Sequence, residues 1–325
     1  MSKKILVMGG AGYIGSHTVK HLAAKGYDCV VADNLVYGHR EAVPAGVPFE
    51  KADLNDPSSL EALFSKYDFE AVLHFAAFAY VGESVTDPQK YYHNNVVGTL
   101  NLLAAMKNHG VKKIVFSSTC ATYGEPQYTP MDEQHPQNPI NPYGRTKLMI
   151  EQVFGDYAKA YGLKYIALRY FNAAGAAADG SIGEAHNPET HLIPLVLQAI
   201  QGKRPCIKIF GTDYPTPDGT CLRDYIHVED LAEAHRLALE KLDQYSGYIN
   251  LGTGVKTSVK EIISAAEKVT GKKCPVELAP RRAGDPAELY AAKGKGETVL
   301  GWMPTYMNIE DIIATAWKWE ENRKY

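Results

Sequence analysis

Cysteine is scarce and scattered. The five residues, Cys29, Cys120, Cys206, Cys221 and Cys274, form no Cys-x-x-Cys pair. Neither a zinc site nor a disulfide framework is indicated, and no metal is expected. A charge excess of either sign is also missing, with 34 basic against 37 acidic side chains and a net charge of −3. That excludes a protein built mainly to neutralise nucleic-acid phosphates or to coat an anionic membrane. No run is long and apolar enough to cross a bilayer. The first strand (Lys3-Lys4-Ile5-Leu6-Val7-Met8) leaves no room for a signal peptide, so a soluble protein of a reducing, cytoplasmic compartment is expected. Neither an internal repeat nor a long linker interrupts the 325 residues, which suit two closely packed domains.

What is present begins with a short apolar run, Ile5 to Met8, followed by Gly9-Gly10-Ala11-Gly12-Tyr13-Ile14-Gly15. A helical pattern then runs to Gly26, and a second apolar run, Cys29 to Ala32, ends in Asp33. Gly10, Gly12 and Gly15 satisfy G-x-G-x-x-G between a strand and a helix, where a pyrophosphate sits on the helix N-terminus. Asp33 is placed to accept hydrogen bonds from a ribose and to repel a 2′-phosphate, which favours NAD over NADP.

The alternation continues with expected strands at Pro48–Asp53, Ala71–Ala77, Lys113–Ser118 and Lys164–Arg169. Helices are expected from Pro57, from about Pro88 to His109, and from Asn141. This pattern predicts a doubly wound parallel Rossmann sheet with its ligand site beyond the C-terminal strand ends. From residue 172 the texture changes. Asn172 to Glu189 reads as irregular loop, followed by helices near Thr190, Glu229, Ser258 and Asn308 and strands at Ile207–Phe210 and Gly247–Leu251. Residues 1–171 are expected to be the NAD-binding domain and 172–325 a smaller mixed α/β lobe, with some crossing of the chain between them.

Of the 21 tyrosines, only Tyr143 has a lysine, Lys147, four positions on. Asn141 is a good N-cap and Pro142 suits the first helical position, so phenol and ammonium share one helix face. A nearby cation and a helix N-terminus both favour a phenolate, which would make Tyr143 a usable base. Thr119, in the loop after the fifth strand, is a further candidate.

These residues resemble the extended short-chain dehydrogenase/reductase family, and within it the UDP-sugar 4-epimerases. The resemblance covers nearly the whole chain. It includes Gly9 to His17, Asp33-Asn34-Leu35, His74-Phe75-Ala76-Ala77, Phe116-Ser117-Ser118-Thr119, Tyr143-Gly144-x-x-Lys147 and Arg169-Tyr170-Phe171-Asn172. More specific are Phe210-Gly211-Thr212-Asp213-Tyr214, Arg223-Asp224-Tyr225-Ile226-His227-Val228 and Arg281-Arg282-Ala283-Gly284-Asp285-Pro286.

The activity this implies is interconversion of UDP-galactose and UDP-glucose through transient C4 oxidation with resident NAD. Tyr143 would be the base, with Lys147 and Thr119 supporting it. The implied NAD contacts are Gly9, Gly12, Tyr13, Ile14, Gly15, Asp33, Asn34, Asp53, Leu54, Phe75, Ala76, Ala77, Asn94, Ser117, Tyr143, Lys147 and Tyr170. The implied UDP-sugar contacts are Thr119, Tyr143, Asn172, Leu192, Phe210, Arg223, Tyr225, Arg282, Asp285 and Leu289. Arg223 and Arg282 would take the diphosphate, since guanidinium forks fit phosphate oxygens. Leu289 stands where the family screens the sugar 2-substituent, so UDP-N-acetylhexosamines stay open, as do UDP-xylose and UDP-arabinose. One departure is Ala79, where well-known members carry a lysine. A 4,6-dehydratase is disfavoured, because Thr119 to Gly124 holds no carboxylate to act as the eliminating acid. A non-catalytic NAD-binding sensor is the rival from another class, and a homodimer is the implied assembly.

Overall fold

The computed structural model describes residues 3–282 and 284–325. Ala283, part of one motif above, lies outside the described residues. The first half runs β1 (Lys4–Met8), α1 (Tyr13–Ala24), β2 (Cys29–Asp33), β3 (Phe49–Lys51), α2 (Pro57–Lys66) and β4 (Phe69–His74). It continues through α3 (Val81–Thr86), α4 (Pro88–Tyr91), α5 (Gly98–Asn108), β5 (Lys113–Thr119), α6 (Pro142–Tyr161) and β6 (Lys164–Tyr170). Then come β7 (Asn172–Ala174), α7 (Leu192–Ile200), β8 (Ile207–Phe210), β9 (Leu222–Arg223), β10 (Tyr225–His227), α8 (Val228–Lys241) and β11 (Gly247–Leu251). The chain closes with β12 (Thr257–Ser258), α9 (Val259–Thr270), β13 (Val276–Ala279), β14 (Glu288–Leu289), α10 (Lys295–Leu300) and α11 (Ile309–Glu321).

Seven parallel strands form the central sheet in the order β11-β6-β5-β4-β1-β2-β3. Every residue of β2 is buried, as expected of a strand covered on both faces. Alternate side chains divide the core. Val7, Val31, Leu73 and Val115 pack with Val19 and Leu22 of α1 and Leu231 and Ala234 of α8. Leu6, Val30, Val72 and Ile114 meet Leu60 of α2, Leu102 of α5 and Phe154 of α6 on the other face. Each fully buried Leu or Phe contributes about 1.5–3 kcal/mol. A third cluster, built on Ile193, Val196, Ile209, Ile262 and Ile313, is the core of the second lobe.

The order reverses between β1 and β4, and that switch point opens the ligand cleft. Local signals act as expected at several ends. Asn141 Oδ1 accepts from Gly144 N at 2.8 Å to cap α6, and Gly162 closes that helix in the left-handed region. Ser258 and Glu261 form the capping box of α9.

Three features differ from the sequence expectation. The Pro88–His109 helix opens into a π turn over Tyr92–Val97. There the buried Asn95 satisfies Phe78 N and O, at 2.9 and 3.0 Å, and Thr146 Oγ1 at 3.1 Å. Part of the expected loop, Asn172–Ala174, is β7, paired in parallel with β10. Finally, Phe75–Ala77 leave the sheet after His74, freeing that backbone to line the cleft.

Candidate active site

An open cleft of about 550 Å³ runs over the C-terminal ends of β1, β2 and β4. Of the expected cofactor residues, Gly9, Gly12, Asp33, Asn34, Leu54, Phe75, Ala76, Ala77 and Asn94 line it. The turn at its floor requires glycine. A Cβ on Gly9, at φ +82°, would lie 2.4 Å from Ala76 N, and one on Gly15 would lie 2.2 Å from Gly9 O. No side chain caps the N-terminus of α1 at Gly12. Free N–H donors therefore face the cleft beside Tyr13 and Ile14, where an anionic pyrophosphate fits. Asp33 accepts from Ala11 N at 3.0 Å and Leu35 N at 2.8 Å, which aims its carboxylate while leaving lone pairs for a ribose. Asp53 does not line the cleft; its carboxylate accepts from Asn34 Nδ2 at 3.0 Å and holds that side chain. The sequence reading missed Val36, Tyr37, Gly38 and Phe78 in the wall. Their signal was position, immediately after β2 and β4 at the sheet's ligand edge.

At the β5–β6 end the remaining groups converge. Lys147, 2% exposed, donates from Nζ to Ser117 O at 2.8 Å. The same Nζ lies 4.6 Å from the Phe116 ring centroid and 5.8 Å from that of Tyr143. Burial lowers its pKa to about 7, with the Glu151 carboxylate opposing the shift. Ser117 Oγ and the Tyr170 hydroxyl share a short hydrogen bond. Burial also pushes the Tyr143 phenol up, reinforced by Tyr170, while the hydrogen bond to the Thr119 hydroxyl pulls it down. This corrects the expectation that lysine and helix terminus lower the tyrosine by themselves. Desolvation outweighs the pull of the Thr119 hydrogen bond. Thr119 Oγ1 also accepts from Ala121 N at 3.1 Å. Cys120 is raised to about 12 by burial, which removes it as an acid or base at neutral pH.

The second lobe places its candidates as three groups. Asn172 and Tyr225 are partners in the β7–β10 ladder, and Asn172 Nδ2 donates to Asp224 O at 2.9 Å. Arg223 and Leu289 pair across β9 and β14. Arg223 is tied to the Asp285 carboxylate and donates to Pro286 O at 2.9 Å. Leu289 packs on Cys120, Tyr123 and Phe171, beside Thr119. The Arg282 guanidinium lies 4.5 Å over the Phe210 ring. Leu192 opens α7 and its side chain packs on the lobe's core, apart from the other candidates. Ala79 is exposed just beyond the cleft-lining Phe78.

Residues 5–252 match the NAD dependent epimerase/dehydratase family, and the chain belongs to it. It is 53% identical to the UDP-glucose 4-epimerase of Lacticaseibacillus casei over 320 residues, 98% of this chain and 97% of that one. A crystal structure of a UDP-glucose 4-epimerase superposes with a TM-score of 0.97 at 51% identity, covering 99% of this chain and 98% of that chain. The Brucella ovis UDP-glucose 4-epimerase in complex with NAD gives 0.94 at 52% identity over 97% and 98% of the two chains.

Proposed function

We propose that this protein interconverts UDP-galactose and UDP-glucose at C4 with NAD held in the cleft throughout. The observation that carries this reading is the convergence of Tyr143, Lys147 and Thr119 at the end of a glycine-floored dinucleotide cradle. The cradle fits NAD: the uncapped α1 terminus takes the pyrophosphate, Asp33 a ribose, and Lys147 with Tyr170 the nicotinamide end. When bound, NAD supplies a positive charge and a reversible hydride acceptor next to the sugar.

The chain's own residues handle the proton. Tyr143 Oη takes it from the sugar 4-hydroxyl and gives it back to the 4-oxygen once the keto sugar has turned its other face. Thr119 Oγ1 holds that oxygen within reach, and Lys147 Nζ supplies charge that favours the phenolate. Arg223 and Arg282 bind the diphosphate and Asp285 the uridine ribose, which anchors the nucleotide while the keto sugar turns. For Arg223 this means sharing its guanidinium between Asp285 and phosphate.

The reading includes a homodimer and a cytoplasmic location. Exposed Val97 and Leu100 on the π turn and α5, and Met149 on neighbouring α6, offer an apolar face for a second copy. The five unpaired cysteines suit a reducing compartment.

The deciding experiment incubates the purified protein with UDP-galactose and no added cofactor, then again with NAD. UDP-glucose is the expected product. Oxidation of no sugar nucleotide by an NAD-loaded protein would leave the sensor reading in its place.

A further inference from the structure

Two carboxylates and two imidazoles meet in the segment between β7 and α7, apart from the proton-transfer groups. The donor atoms of Glu184, His186, Glu189 and His191 all lie within 4.8 Å of one another. His186 Nδ1 is 3.0 Å from Glu184 Oε1 and 3.7 Å from Glu189 Oε2. His191 Nδ1 is 2.6 Å from Glu184 Oε1 and 3.1 Å from Glu189 Oε1. Four ligands about 2.0–2.1 Å from a tetrahedral zinc are separated by about 3.3 Å, the middle of that range. Both histidines point the same nitrogen inward, so neither ring need turn.

The surroundings hold the cluster in place. Glu184 is 5% exposed, and its backbone carbonyl accepts from Trp319 Nε1 at 2.9 Å. Next to it, Ala185 O meets His39 Nε2 at 2.8 Å. Glu189 Oε1 accepts from Thr190 N at 2.7 Å and His191 N at 2.9 Å. Tyr13 and Tyr80 stand edge-on to the His186 ring at 6.2 and 6.0 Å. Tyr80 is 8% exposed and its hydroxyl has no hydrogen-bond partner, though it sits within the field of Glu189 and Glu184. A buried, unsatisfied hydroxyl beside two carboxylates is an independent sign that the polar cluster is completed by something more.

We propose that Glu184, His186, Glu189 and His191 form a four-coordinate site for a divalent d-block cation of the zinc type. Mixed imidazole and carboxylate donors suit zinc, and two carboxylates balance its charge in this partly buried position. Four protein ligands leave no open position, so the site is structural. It clips the segment leading into α7 against Tyr13, whose hydroxyl donates to Gly175 O at 2.6 Å and which opens the helix under the pyrophosphate. The cation thus stiffens one wall of the cofactor cleft. Cysteine spacing could not reveal it, because the pattern is Glu-x-His-x-x-Glu-x-His.

The test uses the full chain, stripped with a chelator and titrated with zinc(II), then with cobalt(II). One equivalent of zinc per chain is expected, with a rise in thermal midpoint. Cobalt(II) is expected to give the strong visible absorption of four-coordinate geometry. His191 is half exposed, so His191→Ala should fold; it is expected to lose about 100-fold or more in zinc affinity and the cobalt band. Glu189→Gln should do the same. Absence of stoichiometric binding at micromolar zinc would overturn the site and leave a hydrogen-bonded quartet of imidazoliums and carboxylates. Undiminished binding in both variants would overturn it equally, by moving the metal elsewhere.

Discussion

Replacing Lys147 by methionine should stabilise the NAD-free protein while abolishing its turnover. Lys147 is 2% exposed, and burial lowers its pKa from 10.5 to about 7. A depressed lysine means that the unfolded chain binds the proton more tightly than the folded one. The penalty is fully present below pH 7 and is relieved as pH rises toward the unfolded pKa. At about 1.4 kcal/mol per pKa unit it amounts to on the order of 5 kcal/mol. Methionine removes it, but leaves Ser117 O without its 2.8 Å donor, a loss of about 1–3 kcal/mol. The Phe116 ring also loses the cation above it, costing about 1 kcal/mol. A net gain of about 1–3 kcal/mol at pH 6.5 remains. Urea unfolding of both NAD-stripped proteins from about pH 6.5 to 9.5 measures it. Wild type should gain on the variant by up to about 1.4 kcal/mol per pH unit above pH 7, so the two curves converge. Parallel pH curves, or a variant less stable at pH 6.5, would refute the idea that the lysine is held against its charge.

Three further outcomes follow from the same geometry. Tyr143→Phe should keep the fold and bound NAD but lower kcat by about 10²–10⁴-fold, the usual worth of a positioned acid–base group; near-normal turnover would reject its role. Asp33→Asn drops the charge and keeps an acceptor for only one of Ala11 N and Leu35 N, which now donate to different carboxylate oxygens, so the preference for NAD over NADP should fall by about tenfold or more in paired Kd measurements. Glu151→Ala strips the carboxylate from Arg169, both 1% exposed, and should cost about 3–5 kcal/mol in denaturant unfolding; a loss under about 1 kcal/mol would mean that the Tyr123 contact suffices for the guanidinium.

The Glu151–Arg169 pair also shows where sequence reading stops. Arg169 lies in β6, a strand whose pattern is plain, yet its partner lies on α6 and nothing local couples them. Local rules sufficed where local physics decides. The glycines at 12 and 15 answer to backbone crowding within one turn and Gly9 to its positive φ, while Asn141 and Pro142 answer to unpaired helix donors. Asp33 needed only its place at the end of an apolar strand. The cleft and the Tyr143 helix were legible on those grounds.

Long-range pairing was not. The seventh strand, Gly247–Leu251, returns to the main sheet beside β6 from far beyond residue 172, because an edge strand is chosen by the backbone donors it meets. Asn94 reaches the cleft from a widened turn tied by the buried Asn95 to Phe78, distant in sequence. Charge was the last thing the tertiary structure decided. The sequence by itself determined that Tyr143 and Lys147 share a helix face, since four residues make about one turn. How deeply the fold buries them set the protonation of both, because desolvation depends on every neighbour at once.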